Sequence, residues 1–135
     1  MASRAKDWFA HAECDLEQDR SSPRTGRFEW VCFAAQQAAE KAVKAVFQGR
    51  AVHPRINSVK RLLETLPGNP TVDTALIDCA TSLDRLYVAT RYPHQFDAGK
   101  PADYYTRTDS EKAIGCAEII LQFCKDQLSG QVTPN

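Results

Sequence analysis

The 135-residue chain carries no surplus of charge, with 17 Lys and Arg against 17 Asp and Glu. A protein that coats nucleic acid without selectivity needs a basic excess, because phosphate neutralisation dominates that affinity. Any contact with RNA therefore has to be local, made by a few arginines and lysines in a cleft. No apolar run approaches the roughly 18–20 residues that span a bilayer. The opening residues Met1–Asp7 include bases but no apolar stretch after them, so no signal peptide is expected and a cytoplasmic location is. The five cysteines, Cys14, Cys32, Cys79, Cys116 and Cys124, are widely spaced, and none is paired at the Cys-x-x-Cys spacing of zinc or redox sites. They are expected to be reduced and mostly buried, as small hydrophobes. A Gly-rich phosphate loop, a His-Glu-x-x-His helix, a nucleophile elbow and a metal-ligand cluster are all missing, which argues against a self-sufficient hydrolase, kinase or metalloenzyme and implies no cofactor. Strand-like alternation and internal repeats are also lacking.

What remains is helical periodicity. Ala5, Trp8, Phe9, Ala12 and Leu16 recur at three- and four-residue steps, predicting a first helix from a Ser3 cap to about Arg20. Ser21–Gly26 reads as a turn. The second helix, about Phe28 to Gln48, is apolar around much of its circumference and should be the central one, with Gly49 as its stop. A short helix is predicted over Asn57–Leu66, and a fourth over Asp73–Thr90 that buries Leu76, Ala80, Leu83 and Tyr87 and finishes near Arg91 ahead of Pro93. The capping-box pattern Thr108-Asp109-Ser110-Glu111 opens the last helix, which runs to about Leu128 along Ala113, Cys116, Ala117, Ile120, Cys124 and Leu128. Gly115 inside it suggests either a close helix crossing or tolerated looseness. The expected architecture is an all-α up-and-down bundle of about five helices, four long and one short. It forms a single domain over residues 1–128 with a flexible tail over 129–135. The long connection Tyr92–Arg107 stands out, since bundle connections usually take about 2–8 residues and longer ones tend to be functional. It holds Tyr92, His94, Lys100, Tyr104, Tyr105 and Arg107, an assortment that suits phosphate and base contacts or, equally, a solvated loop with its aromatics folded onto the bundle.

Three stretches carry a family likeness. Trp30-Val31-Cys32-Phe33-Ala34-Ala35-Gln36-Gln37-Ala38-Ala39-Glu40-Lys41-Ala42-Val43-Lys44-Ala45 resembles the aromatic-x-x-QQAxEKxxKA second helix of HEPN domains. Leu83-Asp84-Arg85-Leu86-Tyr87-Val88-Ala89-Thr90-Arg91-Tyr92-Pro93 is similar to the family's LDxxYxxTRYP helix end. Tyr105-Thr106 before an acidic, alanine-containing helix resembles the YT element that precedes the family's last helix. The resemblance implies a homodimer that associates through helices around a cleft, engages nucleotide or RNA, and works with a minimal nucleotidyltransferase in a toxin–antitoxin pair. Other family members carry an Arg, four to six residues, His motif and act as metal-independent ribonucleases. There the His helps deprotonate a ribose 2′-hydroxyl and the Arg steadies the phosphate.

This chain departs from that motif. Two residues separate Arg91 from His94 and Arg50 from His53, and eight separate Arg85 from His94. If the chain cleaves RNA, Arg91 and His94 are the candidate catalytic pair. Candidate nucleotide contacts are Arg91, Arg85, Asp84, Lys44, Tyr92 and Tyr105, with no metal. Arg91, just at a helix end, can grip phosphate bidentately or cap the helix dipole. Asp84 and Arg85 can meet ligand or form a structural ion pair, and Glu40–Lys44 has the ordinary i, i+4 pairing. Gln37 and Lys41 lie where a polar helix edge could face the cleft. Tyr104 and Tyr105 can stack on bases or pin the connection to the bundle. His53 is expected to cap or pack at the third helix, and His11 to be half-buried. Tyr92 is the candidate for adenylylation by the partner enzyme. Three functions follow: a nucleotide- or RNA-binding module, a ribonuclease toxin with a degenerate motif, and a structural helical dimer without ligand.

Overall fold

The computed structural model describes residues 5–21, 28–68, 70–91 and 105–132. They form five α-helices: α1 (Ala5–Ser21), α2 (Phe28–Gly49), α3 (Val59–Glu64), α4 (Thr74–Arg91) and α5 (Arg107–Val132). No strand occurs among the described residues. Four long helices and one short one are what the periodicity predicts.

α2 is the central helix. Cys32, Ala35, Ala38, Ala39, Ala42, Val43, Ala45 and Val46 are all fully buried, so neighbours cover most of its circumference. The small alanine side chains let those neighbours approach closely. α5 lies parallel to α2, with Arg107 stacked over the Phe28 ring at 5.4 Å at one end and Arg50 Nη2 donating to Gln127 Oε1 at 3.0 Å at the other. α1 packs antiparallel to α5 through Phe9 and Leu16, and α4 runs antiparallel to α2. Ala113, Ala117, Ile120 and Cys124 of α5 complete the core with Leu76, Ala80 and Leu83 of α4. The side chain of Tyr87, expected on the same stripe of α4, lies outside the described residues. Among the described residues, no helix is long and apolar enough to cross a membrane.

The ends of the helices differ from the sequence reading in instructive ways. α2 does end at Gly49, but the left-handed residue after it is Ala51, with φ 60°. Val52 N donates to Phe47 O at 2.9 Å and Ala51 N to Gln48 O at 3.0 Å, the paired bonds of a Schellman cap built without glycine. α3 is shorter than Asn57–Leu66 because Ser58 is its cap, its side chain accepting from Arg61 N. α4 starts at Thr74, one residue after the expected Asp73, which caps it instead: its Oδ1 accepts from Leu76 N at 2.8 Å. The capping box of α5 sits two residues earlier than expected: Thr106 N donates to Asp109 Oδ2 at 3.0 Å, and Asp109 N to Thr106 Oγ1 at 3.2 Å. The helix also outruns Leu128 to Val132, so the expected flexible tail from Ser129 begins as helix. Gly115 marks no close crossing, since a Cβ built there meets nothing within 4 Å. The Ser3 cap and the Ser21–Gly26 turn, apart from Ser21, lie outside the described residues.

Candidate functional site

Where α2, α3 and α4 meet, the apolar core gives way to a polar junction. Gln36 is fully buried in the middle of α2. Its Oε1 accepts from Gln37 Nε2 at 2.8 Å, and its Nε2 reaches Asn57 O at 3.4 Å and Asp84 Oδ1 at 3.5 Å. Glu40, nearly buried, holds Lys44 Nζ at 2.8 Å. Lys44 Nζ also donates to Asn57 Oδ1 at 3.2 Å. Such a group is costly unless each member is bonded, and the chain of contacts shows why these residues occur together.

Asp84 is the keystone of this junction. Its Oδ1 accepts from Val59 N at 2.9 Å; its Oδ2 accepts from Lys60 N at 3.1 Å and from Ser58 Oγ at 2.8 Å. One carboxylate of α4 thus satisfies orphan N–H groups at the start of α3, where the helix dipole also favours negative charge. From sequence, Asp84 fits a ligand contact or a structural ion-pair partner. In the structure both its oxygens are engaged with α3. Arg85 beside it is exposed.

Tyr105 is buried, and its hydroxyl donates to Leu86 O at 2.9 Å, pinning the entry to α5 against α4. Burial holds its phenol protonated well above the usual range; Cys32, once its own thiol ionises, and the carboxylates of Asp109 and Glu29 add to the effect. That is the pinning role, with the ring turned inward and away from solvent. Nearby, Glu29 Oε1 is buried without a hydrogen-bond partner among the described residues. Because α2 and α4 run antiparallel and Gln36 meets Asp84, Glu29 lies on α2 toward the end of α4 that carries Arg91. Glu29 does not stand out in the sequence, where one glutamate in a first helical turn gives no signal; Gln36 belongs to the QQ motif, but its place at the buried centre of the junction does not follow until the antiparallel register is known.

Arg91 is the last residue of α4. Tyr92, His94, Lys100 and Tyr104 and the side chain of Arg91 lie outside the described residues, and with them the candidate pair Arg91 and His94. Gln37 and Lys41 are half-buried on α2. His53 is exposed and its Nδ1 lies 3.0 Å from Gln48 Nε2 of α2; the cap of α3 is Ser58 instead. His11 is exposed and not half-buried, because the stripe of α1 that packs inward is Ala5, Phe9, Ala12 and Leu16. Arg50 is a clamp: Nη1 donates to Pro67 O, Nη2 to Gln127, and its guanidinium sits against Gly68, whose φ of 86° suits glycine.

The cysteines are free: Cys32, Cys116 and Cys124 are buried, Cys79 is half-buried and Cys14 is exposed. Desolvation pushes the Cys32 and Cys116 thiols up to about 12, and that of Cys124 further. Thiols held so firmly in the protonated form are poor nucleophiles.

The comparisons with known proteins agree with this geometry. The HEPN domain profile matches residues 5–127. A protein of Methanocaldococcus jannaschii named "Putative toxin MJ1304" is 29% identical over 133 residues, covering 92% of this chain and 88% of that protein. The crystal structure of TT1696 from Thermus thermophilus superposes with a TM-score of 0.88 at 38% identity, covering 93% of this chain and 99% of that one. ST0689, described as an archaeal HEPN homologue, gives 0.77 at 40% identity, with coverage of 93% and 98%. An HEPN domain protein of Thermotoga maritima gives 0.61 at 37% identity, covering 93% of each chain. With the profile spanning residues 5–127, nearly all of its length, this chain belongs to the HEPN family.

Proposed function

We propose that this HEPN protein works as a homodimer that engages nucleotide or RNA, as one half of a toxin–antitoxin pair with a minimal nucleotidyltransferase. The observation that carries the reading is the near full-length likeness to a protein named as a toxin, on a chain that keeps the family's Gln36-Gln37 helix and its Arg91 helix end. Lys44, Arg85 and Arg91 supply the cations for phosphate, and Tyr92 the hydroxyl that the partner enzyme would adenylylate. Asp84 and Tyr105 act from behind, one fixing α3 and the other fixing the entry to α5.

Expression in a bacterial host tests the pair. Growth arrest by this chain alone, relieved when the cognate nucleotidyltransferase is co-expressed, is the expected result. Light scattering of the purified chain is expected to give twice its monomer mass. Full growth with the chain alone, or a monomer in solution, would count against the reading.

The likeness to a toxin also favours a second reading, a metal-independent ribonuclease using Arg91 and His94. In that case RNA is cleaved in EDTA, and His94→Ala abolishes both cleavage and growth arrest. Unchanged cleavage in His94→Ala would remove that histidine from the chemistry.

A further inference from the structure

The chain is neutral overall, yet its charges are segregated. Residues 41–63 contain Lys41, Lys44, Arg50, Arg55, Lys60 and Arg61 and not one Asp or Glu, whereas all 17 acidic residues and only 11 basic ones lie outside that segment. The fold gathers much of this charge at one place. Lys44 Nζ meets Asn57 at 3.2 Å, Lys60 N meets Asp84 at 3.1 Å, and Arg85 follows Asp84 on α4. Lys44, Arg55, Lys60, Arg61 and Arg85 therefore surround the start of α3, and Arg55, Arg61 and Arg85 are exposed.

Of the acidic residues at this place Asp84 and Glu40 are turned inward, while Glu64 at the end of α3 is exposed. Asp84 spends both oxygens on Ser58, Val59 and Lys60, and Glu40 is occupied by Lys44 and Gln37. Arg50 is committed to Pro67 and Gln127 and stands apart from the exposed set. The surface left to solvent carries Arg55, Arg61 and Arg85 against Glu64, and so is cationic on balance and polar. Its apolar content is small: of the three exposed large hydrophobics among the described residues, Trp30 is near the start of α2, Ile119 is on α5 and Val52 is near α3 in the chain. Protein-binding faces concentrate aromatic and apolar side chains at their centre, whereas phosphate tracks use arginine and lysine with little apolar surface.

We infer that the exposed face around Arg55, Lys60, Arg61 and Arg85 is a track for the phosphate backbone of single-stranded RNA, leading along α4 toward Arg91. From Arg85 to Arg91 the helix rises about 9 Å, so a strand that contacts Arg85 also reaches the end of α4. This inference rests on the proposed engagement of RNA and adds to it a binding surface outside the Arg91 region. The track reads no base; it holds the strand, and its contribution is dependent on salt.

Anisotropy of a fluorescein-labelled 12-nucleotide poly-uridine strand, titrated with the full-length protein over a series of KCl concentrations, tests the assignment. The double variant Arg55→Glu/Arg61→Glu changes two exposed side chains, and circular dichroism checks its helix content. Binding is expected to weaken about tenfold or more near 0.1 M KCl, and the slope of log K against log salt to fall by about 1.4, the value for two lost phosphate contacts on a single strand. The control Lys6→Glu/Lys125→Glu, on the α1–α5 side, is expected to bind within about twofold of wild type. Equal binding by the Arg55/Arg61 variant and wild type would overturn the track while leaving RNA engagement intact. Absence of binding by wild type would overturn both. If the variant kept its affinity for RNA but lost its nucleotidyltransferase partner, the face would be a protein interface and the inference would fail.

Discussion

The two sides of α2 solve different problems. Toward α1 and α5 it presents Ala35, Ala38, Ala42 and Val46, and the packing there is apolar and dense. Toward α3 and α4 it presents Gln36, Gln37, Glu40 and Lys44, each tied to a specific polar partner. The first side would be served by many sets of small hydrophobes of suitable volume. The second depends on individual atoms, and removing one leaves its partner unsatisfied. A chain that needed only a stable bundle could have made both sides alike. The polar side is also where α3 is held and where the exposed cations gather.

Substitutions separate the two sides, and the largest effect falls on the apolar one. Ile120→Ala, at a fully buried position of α5, is expected to destabilise by about 3 kcal/mol in chemical denaturation, with RNA affinity unchanged while the protein stays folded. Asp84→Ala is expected to destabilise by about 2–3 kcal/mol, because three donors at α3 lose their acceptor, and also to weaken RNA binding as α3 loosens. If Asp84→Ala changed stability alone, the two sides would differ in chemistry and not in purpose. Ala51→Gly is expected to stabilise by about 1 kcal/mol, since φ 60° is strained for alanine and free for glycine. The smallest effect is invisible at neutral pH. Cys32 is held protonated up to about 12 in the fold against an ordinary 9.0, so its contribution is complete below pH 9 and is lost as pH rises toward 12. A Cys32→Ala variant is expected to lose stability less steeply over that alkaline range, as followed by denaturation at a series of pH values.

The apolar side was legible in the sequence because periodicity reports burial directly: Ala113, Ala117, Ile120 and Cys124 are where the three- and four-residue steps put them. The helix ends were less so. The residue that reverses α2 is Ala51, which carries no turn signal, while Gly49 and Gly115 do carry one and need no special backbone. Thr106 rather than Thr108 caps α5, because two threonines two residues apart both precede an acidic residue at a usable spacing. Of the candidate site, the sequence put Asp84 and Lys44 on the helices where they are found and Tyr105 ahead of the last one, but did not give their duties. A carboxylate that caps a neighbouring helix and one that meets a ligand look the same until the neighbour is in place. The basic face around α3 was hidden by overall neutrality, which averages an acid-free segment against an acidic remainder.

Engagement of nucleotide or RNA is best tested by calorimetric titration of the purified protein with a short single-stranded RNA and with mononucleotides, comparing wild type with Arg91→Ala. Wild type is expected to bind saturably, and the variant about tenfold or more weakly, the loss of one charge-assisted phosphate contact of about 1.5–3 kcal/mol. No binding of either ligand by wild type, or equal binding by both proteins, would contradict it.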